Sequence, residues 1–98
     1  MDNQHRKISG YRDLCTREIE LINEIKSEGA RIEDLIRKTQ TWLRQQEQMT
    51  RQITTTMQRD EDQRICNAQP TRWVAIASTH FQEGLMALTR AIAQPTTF

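Results

Sequence analysis

Mostly apolar residues recur at every seventh position through the first half of this 98-residue chain, and that spacing constrains the fold more than any other feature. Ile22, Gly29, Ile36 and Leu43 form one series, and Ile25, Ile32, Thr39, Gln46 and Ile53 form a second beside it. Two such series on one α-helix make a narrow seam of the kind that helices bury against other helices. Leu35, Trp42 and Met49 add a third row that widens the stripe on one side. A stripe wider than two rows calls for more than one neighbouring helix, which predicts an assembly rather than an isolated pair.

The same pattern sets the expected boundaries. A first long helix is predicted over residues 16–53, where Thr16 is placed to accept a hydrogen bond from the first-turn amides and Glu18 and Glu20 suit the positive end of the helix dipole. Residues 54–63 begin with threonines, continue as Arg59-Asp60-Glu61-Asp62 and lack an apolar period, so a turn is expected there. A second helix follows over 64–94, capped by Asp60 or Asp62 and broken at Pro70, which either kinks it or marks its true first turn. From there Trp73, Ile76, Ala77, His80, Phe81, Gly84, Leu85, Leu88, Ala91 and Ile92 follow the spacing of one helical face up to Pro95. With no strand signal and no internal repeat, the expected fold class is all-α. It is one domain over 1–98: a short N-terminal segment, residues 1–15, leading into a long antiparallel helical hairpin that assembles as a homo-oligomeric helical bundle. Gly29, inside the first helix, costs about 1 kcal/mol against alanine. Either another helix approaches closely there, or the backbone leaves room for a ligand near Lys26.

Composition excludes several function classes. Only 36% of residues are hydrophobic, a thin core for a small chain, and small chains that fold with so little apolar surface commonly rely on disulfides, metals or partner subunits. Cys15 and Cys66 do not resemble a disulfide framework, and with no secretory signal a reduced, cytoplasmic protein is expected. Fourteen basic residues against 13 acidic ones give a net charge of +1, too weak a field for a binder of long DNA or RNA. A small anion held by a few local charges fits the same balance. No apolar run approaches the roughly 20 residues of a membrane span, so no membrane role is expected.

Catalytic chemistry finds little support. His5, His80, Cys15 and Cys66 lack the close paired spacing of zinc sites, so no metal and no cofactor is expected. No base and acid accompany a nucleophile in a recognisable pattern, and the three glycines stand isolated at positions 10, 29 and 84, away from any phosphate loop. The chain is not expected to be an enzyme. Tyr11, the single tyrosine, sits in Arg6-Lys7-Ile8-Ser9-Gly10-Tyr11-Arg12-Asp13. A tyrosine in a basic, glycine-hinged segment suits stacking on a nucleobase with cations nearby for phosphates, and equally suits anchoring the segment to the hairpin. Lys26 reads as an ordinary solvated lysine of a glutamate-rich helix, and Arg72 as a guanidinium covering the Trp73 indole.

Several segments together go further. The stretch Asn3 through Leu14, the run Glu18-Ile19-Glu20-Leu21-Ile22-Asn23-Glu24-Ile25-Lys26 followed by Gly29, and the segments 69–76 and 82–95 resemble, in order, the helical-hairpin domain shared by phage anti-CBASS and anti-Thoeris proteins. The likeness is strongest to the anti-CBASS cyclic-nucleotide sponges and covers about half the chain, at both ends. The resemblance implies a homo-oligomer, typically a hexamer, in the cytoplasm of the infected bacterial host. It would bind cyclic oligonucleotide immune signals without cleaving them. It implies that cyclic dinucleotides, cGAMP-like, lie between protomers with Tyr11 stacked on a base, Lys26 near phosphate and Arg12 as an extra contact. It further implies a second pocket for cyclic trinucleotides, cyclic triadenylate-like, where several protomers meet, with contributions from Arg72 and the adjacent Thr71. The alternative class is a helical interaction adaptor with no nucleotide ligand.

Overall fold

A computed structural model of the chain describes residues 13–52 and 56–96. Among them are three helices and no strand: α1 over Thr16–Arg51, α2 over Thr56–Ala68 and α3 over Pro70–Ala93. The architecture is the all-α helical hairpin that the heptad spacing predicts. Ile53, the last residue of the second series, and residues 1–12 lie outside the described residues.

The start of α1 differs from expectation in its cap. The Ile19 amide donates to the Cys15 carbonyl at 3.0 Å, and the Cys15 amide donates to Glu18 Oε1 at 2.9 Å. Cys15 is therefore the N-cap and Thr16 the first helical residue. Glu18, three residues beyond Cys15, closes half of a capping box and places its charge at the positive helix end. Along the outer surface of α1, Arg31 pairs with Glu28 at 3.2 Å, Arg37 with Glu33 at 2.5 Å, Lys38 with Asp34 at 3.1 Å and Arg51 with Glu47 at 2.5 Å. Such exposed pairs one turn apart are worth a few tenths of a kcal/mol each, and they neutralise most of the helix's charge locally.

The segment expected as a turn is mostly helix. α2 begins at Thr56, so Asp60 and Asp62 are interior rather than capping. A polar run can be helical without an apolar period because its side chains bond along the axis: Arg64 donates to Glu61 Oε2 at 2.7 Å and the Gln63 amide donates to Asn67 Oδ1 at 2.9 Å. The hydrogen bond from Arg64 holds the Glu61 carboxyl below its ordinary range, and the reciprocal bond raises Arg64. Ile65 is the half-covered apolar contact of this helix.

The break near Pro70 is a clean joint between two helices. Gln69 has φ of 51°, its amide donates to Ile65 O at 3.0 Å, and its carbonyl accepts from the Trp73 amide at 3.2 Å. One left-handed residue thus ends α2 and opens α3, and Pro70, lacking an amide hydrogen, occupies the first helical position where none is needed. α3 ends in the same way: Gln94 has φ of 53°, its amide bonds Arg90 O at 2.8 Å, and Pro95 prevents continuation.

The described residues fall into two compact units. In the unit Ile32–His80, the covered positions of α1 are Ile32, Ile36, Leu43, Gln46 and Thr50, and those of α3 are Pro70, Val74, Ile76, Ala77 and Ser78. Thr50 falls seven residues beyond Leu43 and is only 5% exposed, with its hydroxyl donating to Gln46 O at 2.9 Å. A threonine that satisfies its hydroxyl on the preceding turn can take a buried seam position. Thr39, expected in the second series, is exposed.

In the unit formed by the residues before Ile32 and from Phe81 onward, Ile22, Ile25 and Gly29 on α1 and Leu85, Thr89 and Ile92 on α3 are half-covered. A Cβ placed on Gly29 would lie 3.3 Å from Leu85 Cδ1, so this glycine permits a close helix approach. Gly29→Ala is expected to change stability by less than about 1 kcal/mol and towards stabilisation, because the helix-propensity gain of alanine is of that size and the Leu85 methyl borders open space into which it can yield. Thermal melts of the two proteins check this; a large drop in midpoint would mean that Leu85 is fixed.

The apolar face assigned to α3 from sequence requires correction. Trp73, His80, Phe81, Gly84, Leu88 and Ala91 are all exposed, and the covered positions include Ser78 and Thr89. Thr89 is tolerated because its hydroxyl donates to Leu85 O at 2.9 Å. α3 thus has two apolar faces, and the one carrying the large side chains is uncovered. The third row on α1 behaves alike: Leu35 is 61% and Trp42 52% exposed. Among the described residues no hydrophobic side chain is buried.

Candidate functional site

Two grooves, one in each unit, contain the sequence-predicted positions among the described residues. In the first unit Ile25, Lys26 and Gly29 of α1 meet Leu85, Met86, Thr89, Arg90 and Ala93 of α3, with Pro95 beyond the helix end, around a groove of about 440 Å³. Its floor is apolar. Lys26 is exposed on the flank of the seam, one residue past Ile25. Its neighbours explain its availability: Arg17, Arg31, Arg37, Lys38 and Arg51 are in ion pairs and Arg44 bonds Thr41, whereas Lys26 has no such partner among the described residues. Arg90, which the sequence pattern did not single out, brings a second cation to this groove, and among the described residues no carboxylate lines it. A basic residue in the last turn of a helix is ordinarily accounted for by the helix dipole, which is why the pattern alone did not mark Arg90. Its position one residue past the covered Thr89, as Lys26 is one past Ile25, is visible only once Thr89 is seen to be covered.

The second groove belongs to the unit Ile32–His80 and encloses about 610 Å³ between Leu43, Gln46, Glu47 and Thr50 of α1, Asp62, Ile65 and Cys66 of α2, and Gln69 through Arg72. Thr71 also borders a smaller recess of about 290 Å³ with Gln40, Leu43, Arg44, Glu47, Val74 and Ala75. The Arg72 guanidinium carbon lies 5.1 Å from the centroid of the Trp73 ring, a cation–π arrangement that holds the side chain at the surface. Here the electrostatics are opposite to the first groove: one arginine is accompanied by Glu47 and Asp62. A single copy of this groove is not a concentrated anion site.

Tyr11 and Arg12 lie outside the described residues. Cys15 and Cys66 are exposed free thiols. Among the described residues no group of three or more histidine, cysteine, aspartate or glutamate side chains could hold a metal ion, and no helix is long and apolar enough to cross a membrane.

Comparison with known proteins bears on what a hairpin of this kind is. The family model described as the Acb2/Tad1 hairpin domain matches residues 5–93. The chain belongs to the Acb2/Tad1 hairpin family. Anti-CBASS protein 2 of Pseudomonas phage JBD67 is 40% identical to it over 105 aligned positions, spanning 97% of this chain and 97% of that protein. The family match runs through Tyr11, Arg12, Lys26, Thr71 and Arg72, and also through α2, which lies outside the segments that resemble the family by sequence alone.

Proposed function

We infer that this Acb2/Tad1 hairpin protein is a phage anti-CBASS factor that captures cyclic oligonucleotide immune signals without cleaving them, in the cytoplasm of the infected host, as a homo-oligomer. The end-to-end identity with Anti-CBASS protein 2 carries this reading. Assembly is supported by the protomer itself, in which no hydrophobic side chain among the described residues is buried while Leu35, Trp42, Met49, Trp73 and Leu88 stand in solvent. Large uncovered apolar rows of this kind mark interaction surfaces.

In this reading Tyr11 stacks on a base of a cyclic dinucleotide, Lys26 meets phosphate, and Arg12 adds a contact. Nanomolar capture requires about 12 kcal/mol, whereas a stacked base contributes roughly 1–3 and a charge-assisted hydrogen bond roughly 1.5–3. One tyrosine and one lysine fall short. Two protomers about a twofold axis present both residues twice to a ligand that is itself nearly twofold. Cyclic trinucleotides occupy a second pocket where the Arg72 and Thr71 of several protomers converge. The carboxylates of Glu47 and Asp62 beside each Arg72 make that convergence necessary. Arg72→Ala is therefore expected to weaken cyclic triadenylate binding at least tenfold, about 1.4 kcal/mol, with little change for cyclic GMP–AMP. Calorimetry with both ligands checks it, and equal losses would refute separate pockets.

The function as a whole is tested by incubating the purified protein with cyclic GMP–AMP, removing the protein by heating and chromatographing the supernatant. Depletion followed by recovery of intact ligand is the expected result. A linear product would identify a nuclease, and no depletion by any cyclic di- or trinucleotide would leave a helical adaptor.

A further inference from the structure

We propose that Arg90 is a second phosphate-binding cation of the Lys26 groove, gripping a phosphodiester of the captured cyclic dinucleotide. The proposal rests on the sponge reading above and adds to it a residue that neither the sequence pattern nor the helix-dipole role of Arg90 anticipates. Four observations converge. Lys26 and Arg90 line the same groove, from α1 and α3 respectively. Each follows a half-covered residue, Ile25 and Thr89, so both lie at the margin of the covered faces rather than within them. Gly29 lets α1 and α3 come close enough that a Cβ would sit 3.3 Å from Leu85, bringing the two backbones that carry these cations together. The backbone of Arg90 is fixed, since its carbonyl accepts the Gln94 amide at 2.8 Å where the helix stops.

The chemistry suits the ligand class. A cyclic dinucleotide carries two phosphodiesters, each with one negative charge on two non-bridging oxygens. Lysine offers a compact point charge to one such group, whereas the planar guanidinium can donate to both oxygens at once. The apolar floor of Ile25, Leu85 and Met86 suits ribose or base faces, which are only partly polar. Lys26 and Arg90 thus divide the work: one attracts phosphate, the other fixes its orientation.

The test is calorimetry of the full chain with cyclic GMP–AMP at several salt concentrations, for wild type, Arg90→Met, Arg90→Gln, Arg90→Lys and Lys26→Ala, with native mass and cyclic triadenylate binding measured alongside. Arg90→Met is expected to bind cyclic GMP–AMP about tenfold or more weakly, the loss of a charge-assisted hydrogen bond. Its affinity should depend less steeply on salt, and assembly and triadenylate binding should be unchanged. Arg90→Lys should recover the salt dependence while remaining weaker than wild type. Should Arg90→Met fail to fold, Arg90→Gln, which keeps a polar stem without charge, decides the matter by the same criteria. Wild-type affinity in the uncharged variants while Lys26→Ala is weakened would overturn the role of Arg90 and leave the sponge reading standing. Loss of assembly or of triadenylate binding together with cyclic GMP–AMP would overturn it too, showing a structural arginine. A wild-type protein that ignores cyclic GMP–AMP would overturn the sponge reading for cyclic dinucleotides and this inference with it.

Discussion

Tyr11→Ala is expected to abolish cyclic dinucleotide capture at concentrations where the wild-type protein is saturated, while leaving the assembly intact. If each ligand is stacked on by one tyrosine from each of two protomers, the substitution removes two stacking contacts at once. At roughly 1–3 kcal/mol per base, the loss is about thirtyfold at its smallest and about twenty-thousandfold at its largest. Tyr11 lies before Cys15, the cap at which α1 begins, so removing its ring leaves the seam residues from Ile22 to Thr50 in place. Calorimetry with cyclic GMP–AMP, paired with native mass, measures both halves of the expectation. Unchanged affinity would assign Tyr11 to anchoring, and a changed mass would assign it to assembly.

The second large effect concerns the uncovered rows. In the unit Ile32–His80, Leu35, Trp42 and Met49 stand one heptad apart on α1 with about half or more of their surface exposed. Fully burying such a side chain against a partner contributes roughly 1.5–3 kcal/mol, and an oligomer repeats that gain at every interface. Introducing carboxylates in that row reverses the sign, because an unpaired charge would have to lose its water. The double variant Leu35→Glu, Trp42→Glu is expected to run as a monomer in sedimentation, with helical circular dichroism largely retained because neither side chain is covered in the protomer. Cyclic dinucleotide affinity should fall at least as far as in Tyr11→Ala, since a monomer brings one tyrosine and one lysine. An assembled double variant would move the interface elsewhere, to the face of Trp73 and Leu88.

Much of this fold is legible in the sequence because apolar spacing reports directly on which face of a helix is covered. Ile22, Ile36 and Leu43, and Ile25, Ile32 and Gln46, are covered positions of α1. What was not legible has identifiable causes. Thr50, Ser78 and Thr89 occupy covered positions, and for Thr50 and Thr89 the reason is visible: their hydroxyls bond a carbonyl one turn back, which hydrophobicity does not register. α2 has hardly any apolar period, and its helicity rests on local pairs such as Glu61 with Arg64, indistinguishable in sequence from a charged turn. The double duty of Gln69 was not predictable either, because glutamine rarely adopts a left-handed backbone.

The candidate site divides along the same line. Lys26 and Arg72 could be singled out because they lie in segments that resemble a known family. Arg90 could not, because a cation in a last helical turn has an ordinary explanation. Its significance appears only when α1 and α3 are placed side by side at Gly29.

The central claim is that protomers join so that groups from more than one of them hold a single cyclic nucleotide. Native mass spectrometry of the purified chain during titration with cyclic GMP–AMP tests it most directly. The account predicts a closed oligomer that saturates at one cyclic dinucleotide for every two protomers, with no ligand on any monomer present. A monomer that carries the ligand with the affinity of the whole protein would contradict it, as would an oligomer that stays empty at saturating ligand.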